Sequence, residues 1–277
     1  MRQGIFVPPF DEMADLDRLV KLAQCAERSD WDGLFLWDHL LYSEPVVDIL
    51  DPYICLAAMA AATSSIQLGP MVTPLVRRRP AVLARQVVTL DKLSHGRLIL
   101  GLGIGDDGGK GELSSFGEIV DAPTRGRALN EGLEVLTGLL SGEPVRFHGE
   151  HYQAHDVVFR PVAERPGGVP IWMAARWPNP APIRRAAKYR GVVVIQMSDP
   201  SDLATLREML QQAGADLNNF DIVINGQIGD DPTPWFEAGA SWFLTQFGPY
   251  HLNFDEVMEL VAGGPPQVRT SPTKENS

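Results

Sequence analysis

Short, uniformly apolar runs alternate along the chain with longer segments whose apolar residues have helical spacing. The clearest helical segment, 80–93, places Leu83, Val87 and Leu90 on one face and begins with Pro80, which suits a first helical turn. Uniformly apolar runs are typical of strands in a parallel sheet that is covered on both faces. Strands are predicted at 4–7, 33–37, 66–72, 97–102, 169–173, 191–195, 221–225 and 241–246. Helices are predicted at 16–26, 51–62, 80–93, 125–140, 181–190, 201–213, 234–238 and 254–261.

Eight strand–helix units in about 260 residues match the usual size of a single (β/α)8 TIM barrel. We therefore predict one such domain over residues 1–262, followed by a disordered tail, 263–277, which is rich in Pro, Gly and polar residues. The alternating segment 145–161 is predicted to be an inserted β-hairpin. The glycine-rich, acidic segment 106–121, after the fourth strand, is predicted to be a mobile loop with little to anchor it.

Candidate chemistry lies where the predicted strands end, because side chains at the C-terminal ends of the strands form the site in such barrels. Glycines at 101, 103 and 105 let a backbone come close to a ligand, although tight loops and close packing use glycine in the same way. We expect five strand ends to converge on one pocket: Asp38-His39, Met71-Val72-Thr73, Gly103 to Asp106, Ala174-Ala175-Arg176 and Gln196.

Composition narrows the choice of partner and compartment. A formal net charge of -11 argues against nucleic acid or an anionic membrane as the main partner. No apolar run approaches the ~18 residues of a membrane-spanning helix, and the N-terminal residues lack the apolar core of a signal peptide. Cys25 and Cys55 both lie in helical patterns, which suits two packed thiols in a reducing compartment. We therefore expect a cytoplasmic protein.

Several short stretches carry a resemblance in both their order and their spacing: 33–39 (GLFLWDH), 68–74 (LGPMVTP), 90–98 (LDKLSHGRL), 101–105 (GLGIG) and 149–152 (GEHY). Over roughly residues 4–260 the chain resembles the bacterial-luciferase-like flavin oxidoreductases, and the stretch at 90–97 is the most specific piece. The resemblance implies a (β/α)8 barrel that holds FMN or the deazaflavin coenzyme F-420 at the strand ends. It also implies hydride transfer or oxygen activation on a small organic substrate, with a monooxygenase among the possibilities.

The resemblance implies roles for individual residues. His39 matches a histidine near the cofactor ring, and Asp106 stands where several deazaflavin enzymes have a glutamate proton donor, so both are predicted to be catalytic. Met71-Val72 is expected to be a cis peptide bond that faces the ring. Residues expected to contact the cofactor are Asp38, Met71, Val72, Thr73, Gly103, Gly105, Ala174, Ala175 and Arg176.

Two departures leave the choice between FMN and coenzyme F-420 open. Ser43 stands where some deazaflavin dehydrogenases have tryptophan, and Ala174-Ala175 replaces a glycine pair that often meets the cofactor phosphate. Arg176 could compensate with charge-assisted hydrogen bonds. The resemblance further implies a homodimer, for which the small-residue helix at 54–62 offers an apolar face, and either NAD(P)H or a flavin reductase as a source of electrons.

Alternative interpretations stay open at this stage. The protein could bind flavin without catalysis, or be a metal-dependent hydrolase that uses His148, His151 and His155, whose spacing can chelate zinc. The alternating pattern around these histidines favours a surface hairpin instead. The basic run 77–79 could hold a phosphate or form ion pairs within the protein.

Overall fold

The computed structural model describes residues 1–269. The strands are β1 (Arg2–Val7), β2 (Gly33–Leu36), β3 (Gln67–Pro70), β4 (Thr73–Pro74), β5 (Leu100–Gly103), β6 (Val145–His148), β7 (Gln153–Val157), β8 (Ile171–Arg176), β9 (Gly191–Ile195), β10 (Asp221–Gln227) and β11 (Trp242–Gln246). The α-helices are α1 (Leu16–Arg28), α2 (Pro52–Ala61), α3 (Pro80–Leu93), α4 (Gly108–Gly111), α5 (Ala122–Ser141), α6 (Pro180–Ala186), α7 (Asp202–Gln212), α8 (Thr233–Glu237) and α9 (Phe254–Ala262).

The large parallel sheet closes on itself. Its hydrogen-bonded order is β3-β2-β1-β11-β10-β9-β8-β5-β4. The two strands at the ends of this order are consecutive pieces of one barrel strand, interrupted at residues 71–72, so β3 pairs with β2 while β4 pairs with β5. A parallel bridge between Leu68 of β3 and Leu98, just before β5, further joins this interrupted strand to the barrel strand that contains β5. Within residues 1–269 the sheet thus has eight barrel strands, which confirms the predicted (β/α)8 architecture.

Helix boundaries follow from side chains that satisfy the free backbone N–H groups of the first turn. Asp51 accepts from the N–H groups of Tyr53 and Ile54 at the start of α2. Asp121 does the same for Thr124 at the start of α5, which therefore begins three residues earlier than predicted. Helix α6 ends before its predicted limit because the following turn tightens to i−3 hydrogen bonds such as Tyr189 N–H to Ala186 O.

Two apolar layers surround the sheet strands. The layer between the strands and the outer helices is mostly aliphatic, whereas half of the residues buried inside the barrel are aromatic. Trp172 and Trp242 are fully buried there, with ring centroids 5.3 Å apart, and Phe35 lies 5.5 Å from Trp172. The two cysteines are buried free thiols, as their helical patterns predicted. Among residues 1–269, no helix combines the length and apolar character that crossing a bilayer requires.

The inserted segment forms the predicted hairpin, in which β6 and β7 pair in antiparallel fashion. Its turn is held by Glu131 of α5, whose carboxylate accepts hydrogen bonds of 3.0, 2.8 and 3.2 Å from the backbone N–H groups of Glu150, His151 and Tyr152. A Cβ atom at Gly149 would lie 2.3 Å from the same carboxylate. The GEHY stretch therefore has a structural explanation.

The histidines of the metal hypothesis do not converge. In the part of the chain that the structure describes, the side chains close enough to share an ion are Glu131, Glu150 and His151, without His148 or His155. Glu131 already accepts the hydrogen bonds of the hairpin turn, so this group gives the metal-dependent hydrolase no support.

The most specific sequence stretch lies at the N-terminal end of the barrel, away from the strand ends that were predicted to form the site. The Arg97 guanidinium is buried and donates five hydrogen bonds of 2.7 to 2.9 Å to Ala60, Thr63, Ile66 and Ser94. Gly96 has a φ of +78°, which favours glycine. This stretch ties α2, α3 and the strands together.

Residues 263–269 follow an irregular path after α9. The Gln3 side-chain amide donates to the carbonyl of Pro266 at 2.8 Å, and the backbone N–H of Arg269 donates to the Thr233 hydroxyl at 3.0 Å. These contacts were not expected of a tail predicted to be disordered from residue 263. The remainder of that tail, 270–277, lies outside the described residues.

Candidate active site

A cavity of about 1040 Å³ opens at the C-terminal ends of the barrel strands. Every predicted site residue lines it except Thr73, Ala175 and Gln196. The structure thus brings together Asp38, His39, Met71, Val72, Gly103, Gly105, Asp106, Ala174 and Arg176. Further lining residues come from α5, α6 and the ends of β9 to β11, among them Arg125, Arg185, Ile195, Asn225 and Gln246.

The interruption of the third barrel strand forms one wall of the cavity. The Met71-Val72 peptide bond is cis, as expected, and both residues line the cavity. Glycines on the neighbouring strand make room for this turn, since a Cβ atom at Gly103 would lie 2.8 Å from Val72 Cγ2. One at Gly101 would lie 2.3 Å from the carbonyl oxygen of Pro70. These two glycines therefore allow the close approach of a neighbouring strand.

Two residues that were predicted to contact the cofactor lie outside the cavity lining. The Thr73 side chain is fully buried, donates to Asp38 Oδ2 at 2.7 Å, and lies 2.9 Å from the Tyr53 hydroxyl. Ala175 packs in the layer between the sheet and the helices, because successive side chains of a strand point to opposite faces and Ala174 takes the cavity side. Neither Thr73 nor Ala175 lines the cavity.

A buried group of ion pairs lies beneath the cavity wall. Arg77, whose side chain is 3% exposed, places Nη2 2.5 Å from Asp38 Oδ1 and Nη1 2.6 Å from Glu112 Oε1. The second contact is an ion pair rather than an aligned hydrogen bond. Arg78 lies 3.1 Å from Asp38 Oδ2 and stacks over the Tyr53 ring at 4.6 Å. Of the two interpretations of the basic run, the structure supports internal ion pairs for Arg77 and Arg78.

Glu112 reaches into this group from the loop after β5. Its side chain is only 6% exposed, and its Oε2 lies 3.1 Å from His39 Nδ1. The Leu40 backbone N–H donates a short hydrogen bond to Oε1. Burial raises the pKa of Glu112, but the His39 hydrogen bond and charge, the Arg77 charge and the Leu40 N–H together hold it below its ordinary value. Glu112 is therefore an ionised partner of the predicted catalytic histidine.

Buried side chains and hydrogen bonds hold the loop 106–121 in place, which its sequence did not predict. Besides Glu112, Leu113 is fully buried, and its backbone N–H donates to Asp107 Oδ1 at 2.6 Å. The expectation that little holds this loop is wrong, because one buried carboxylate and one buried leucine follow its first three glycines. Its mobility stays a prediction.

Asp106 has a different environment from the one expected for a partner of His39. Its side chain lines the cavity but is 74% exposed, and its Oδ2 lies 3.9 Å from Arg176 Nη2. The carboxylate that the structure pairs with His39 is Glu112. A catalytic role for Asp106 stays a prediction.

Aromatic rings surround His39, and two of them, Tyr42 and Trp37, line the cavity. Tyr42, Trp37 and Phe10 have ring centroids 5.0, 5.9 and 6.0 Å from the imidazole, and Tyr42 lies 6.0 Å from Tyr250. Burial, followed by the neighbouring Tyr250, raises the pKa of Tyr42, so this phenol stays protonated near neutral pH. Such a wall suits an apolar substrate or the flat body of a cofactor ring.

Arg125 is the most unusual charged residue of the cavity. It lies in the first turns of α5 and is 7% exposed, yet its Nε and Nη1 have no hydrogen-bond partner within residues 1–269. Arg185 also lines the cavity, and its Nε donates to Asn130 at 2.8 Å. Buried charged groups are normally paired. Unpaired guanidinium nitrogens at a cavity are therefore suited to an anionic ligand.

Sequence reasoning missed Glu112, Arg125 and Arg185 as site residues. Arg125 and Arg185 lie on helices after β5 and β8, and no spacing within the sequence shows which helical residue turns toward the strand ends. Glu112 had one available signal, an acidic residue next to an apolar one within a loop expected to cover the site.

Comparison with known proteins decides the family. The sequence model described as luciferase-like monooxygenase matches residues 1–234. The chain belongs to this luciferase-like family.

Among the relatives of this luciferase-like protein, a 5,10-methylenetetrahydromethanopterin reductase from Archaeoglobus fulgidus is 28% identical over 272 residues, 97% of this chain and 72% of the relative. An F-420-dependent glucose-6-phosphate dehydrogenase from Kineococcus radiotolerans is 30% identical over 244 residues, 81% of this chain and 68% of the relative.

Two solved structures share the fold of this luciferase-like chain. An F-420-dependent tetrahydromethanopterin reductase from Methanopyrus kandleri has a TM-score of 0.74 at 19% identity, covering 94% of this chain and 97% of the other. An F-420-dependent secondary alcohol dehydrogenase has a TM-score of 0.78 at 18% identity, covering 97% and 99%. The arrangement of strand ends around the cavity thus belongs to a luciferase-like barrel.

Proposed function

We propose that this protein is an oxidoreductase that uses the deazaflavin coenzyme F-420 to move a hydride to or from a small organic substrate. Support comes from the family and from relatives whose names specify this coenzyme, such as the dehydrogenase from Kineococcus radiotolerans. The observation that carries the proposal is one cavity that contains both a histidine held by a buried carboxylate and a buried arginine with unpaired nitrogens.

The residues present fit such a coenzyme. Coenzyme F-420 and FMN each carry a phosphate group on the side chain of the ring, and Arg125 offers two unpaired guanidinium nitrogens to an anion of this kind. Arg176 and Arg185 add positive charge to the same cavity. The apolar wall at Met71-Val72 suits the flat body of the ring. We therefore assign Arg125 to the phosphate and residues 71–72 to the ring.

When bound, the coenzyme supplies the acceptor or donor of the hydride. His39 handles the accompanying proton: its Nδ1 faces Glu112, so Nε2 is the ring nitrogen left for the substrate. Through Nε2 the imidazole takes a proton from a substrate group as it is oxidised, or returns one as it is reduced. The aromatic residues around His39 exclude water from the substrate, which strengthens the polar contacts that remain.

The test is to titrate the purified protein separately with coenzyme F-420 and with FMN, and to measure each Kd by ligand fluorescence. We expect the deazaflavin to bind more tightly. Addition of small alcohols to the complex should then bleach the visible absorption band of the oxidised coenzyme. Tight binding of FMN without measurable binding of coenzyme F-420 would contradict the proposal.

An FMN-dependent monooxygenase is the second candidate. The family description, the serine at position 43 and the alanine pair in place of glycines favour it. In that case the protein takes its electrons from NAD(P)H or from a flavin reductase, and oxygen uptake accompanies turnover. Binding of FMN or of coenzyme F-420 with no turnover of any substrate would point to a non-catalytic flavin-binding protein.

We also propose that the protein is a cytoplasmic homodimer. Ile54 on α2 and Val82 on α3 are exposed apolar residues on two helices that lie side by side, so a second copy can cover them. The two free thiols suit a reducing compartment. Light scattering over a dilution series measures the assembly. A mass of one chain, 30.4 kDa, at all concentrations would rule out the dimer.

A further inference from the structure

The contact between Glu112 and His39 joins a loop carboxylate to the end of β2. Glu112 lies in the loop between β5 and α5, whereas His39 follows the second barrel strand, so the contact spans 73 positions of the chain. Both residues line the cavity. Each oxygen of the carboxylate has its own partners: Oε2 faces His39 Nδ1 at 3.1 Å, while Oε1 faces Arg77 at 2.6 Å and accepts the N–H of Leu40.

We propose that Glu112 is a positioning residue for His39: its carboxylate keeps the proton of the neutral imidazole on Nδ1 and so leaves Nε2 as the proton acceptor that faces the cavity. The catalytic consequence rests on the proposed function, since it requires His39 to exchange a proton with the substrate. The tautomer itself is a property of the chain and is measurable without coenzyme or substrate.

An ionised carboxylate can only accept hydrogen bonds. If Glu112 is ionised and bonded to Nδ1, the proton between them must belong to the imidazole, and in the neutral ring Nε2 is then unprotonated. Burial opposes ionisation of Glu112, but the hydrogen bond from His39, the charge of Arg77 and the N–H of Leu40 lower its pKa, and these three effects do not require a charged imidazole. The carboxylate is therefore in the right charge state at neutral pH.

The carboxylate is also fixed in place. Arg77 holds Oε1 with one nitrogen and Asp38 with the other, and Asp38 is held in turn by Thr73 and Arg78. The side chains of Arg77, Asp38 and Glu112 are buried, so Glu112 cannot turn away from His39 without separating buried charges. A group that is supported in this way can set the orientation of the imidazole as well as its tautomer.

Other charged and titratable groups near His39 do not offer the same contact. Tyr42 meets the imidazole as a ring, with a centroid distance of 5.0 Å, and carries its hydroxyl near Tyr250. Asp38 precedes His39 in the chain but is taken up by Arg77 and Arg78, and exposed Asp106 lies near Arg176. Among the described residues, Glu112 is the carboxylate whose distance to an imidazole nitrogen of His39 is that of a hydrogen bond.

The alternative is that Glu112 merely anchors the loop by pairing with Arg77. That role predicts a loss of stability when Glu112 is changed but no preference for either imidazole tautomer. The two roles therefore differ in a spectroscopic property of His39.

The experiment is nitrogen-15 NMR of the coenzyme-free protein with labelled histidine, recorded above the pH at which the imidazole loses its charge. The chain has six histidines, and His39 is assigned by the signals that disappear in His39→Gln. We expect a protonated Nδ1 and an unprotonated Nε2 in the unaltered protein. We expect Glu112→Gln to weaken or reverse this pattern, because an amide can donate to Nδ1 as well as accept from it.

Glu118→Gln is the matched control, since it removes the same charge from the same loop and should leave the His39 pattern unchanged. Circular dichroism shows whether each variant folds, and Glu112→Asp, which keeps a carboxylate, should retain part of the Nδ1–H preference. With coenzyme and substrate, Glu112→Gln should lower kcat by about 10- to 100-fold with little change in coenzyme Kd, which is at or below the lower end of the loss for an acid–base group itself.

Two results would overturn the proposal: an Nε2–H tautomer in the unaltered protein, or an unchanged Nδ1–H pattern in folded Glu112→Gln. The first needs no variant to fold. Failure of the unaltered protein to bind or reduce coenzyme F-420 would reject the proposed function alone, and the tautomer measurement would still decide the role of Glu112.

Discussion

Replacement of Arg125 by methionine should change coenzyme affinity and protein stability in opposite directions. The guanidinium is 7% exposed, and its Nε and Nη1 have no hydrogen-bond partner in the described chain. A hydrogen bond to a charged group contributes about 1.5 kcal/mol at the low end of its range. Two such bonds to a phosphate thus amount to about 3 kcal/mol, so Arg125→Met should raise the Kd of coenzyme F-420 by about 150-fold.

The coenzyme-free protein should respond in the other direction. Replacing buried ionic groups with apolar residues of similar volume often stabilises a protein by about 1 kcal/mol or more. For a chain of this size, about 1 kcal/mol corresponds to a rise in Tm of about 2–4 °C. Differential scanning calorimetry without coenzyme measures this shift, and fluorescence titration of the same preparation measures the Kd.

Arg127→Met is the matched control. Arg127 lies on the same helix and carries the same charge, but it is exposed and lies 3.5 Å from Glu150 on the hairpin. We expect less than about a threefold change in Kd and little change in Tm, since exposed ion pairs contribute little. An unchanged Kd in Arg125→Met would show that Arg125 does not meet the coenzyme. A lower Tm of the coenzyme-free variant would refute the argument from the two buried nitrogens that lack a hydrogen-bond partner.

Three further predictions concern catalysis, acid stability and the base of the barrel. His39→Ala should lower turnover by roughly 100-fold or more and Asp106→Ala by about 10-fold, measured as kcat on coenzyme-loaded protein; a lower Tm with unchanged kcat would assign His39 a structural role instead. Burial raises the pKa of Glu27, but hydrogen bonds from the backbone N–H groups of residues 64–66 and from the Ser65 hydroxyl outweigh this effect and lower the pKa to about 2. Its contribution to stability should therefore be complete above pH 4.5 and be lost as the pH falls toward 2; Glu27→Gln should abolish this part of the acid unfolding curve, whereas an unchanged curve would contradict the assignment. Arg97→Met should destabilise the protein by about 3 kcal/mol or more, because it leaves several buried carbonyl groups without a donor, and urea unfolding with an unchanged midpoint would show that this arginine is dispensable.

The barrel was predictable because its signals are local. Each strand appears as a run of apolar residues and each helix as a repeat of helical period, so eight units could be counted along the sequence. The parallel arrangement of the strands then placed their C-terminal ends at one mouth. This is why His39 and Asp106, at the ends of different strands, were correctly expected to line one cavity.

The role of the stretches that carry the family resemblance could not be inferred from their position in a motif. The sequence around Arg97, which made the resemblance most specific, packs at the opposite end of the barrel from the cavity. Gly101 and Gly103 accommodate the neighbouring strand. A motif records that residues are required, and only the three-dimensional contacts show whether they are required for packing or for chemistry.

The sequence by itself thus determined the family resemblance, the order of the barrel elements and the strand ends that face the cavity. The tertiary structure decided which charges pair: Glu112 rather than Asp106 with His39, and Arg77 with two carboxylates. It also left two nitrogens of Arg125 without a hydrogen-bond partner among residues 1–269. The physical reason is that backbone periodicity arises between residues close in sequence. Ion pairs depend on side-chain positions set by the closed sheet, and the Glu112 contact joins residues 73 positions apart.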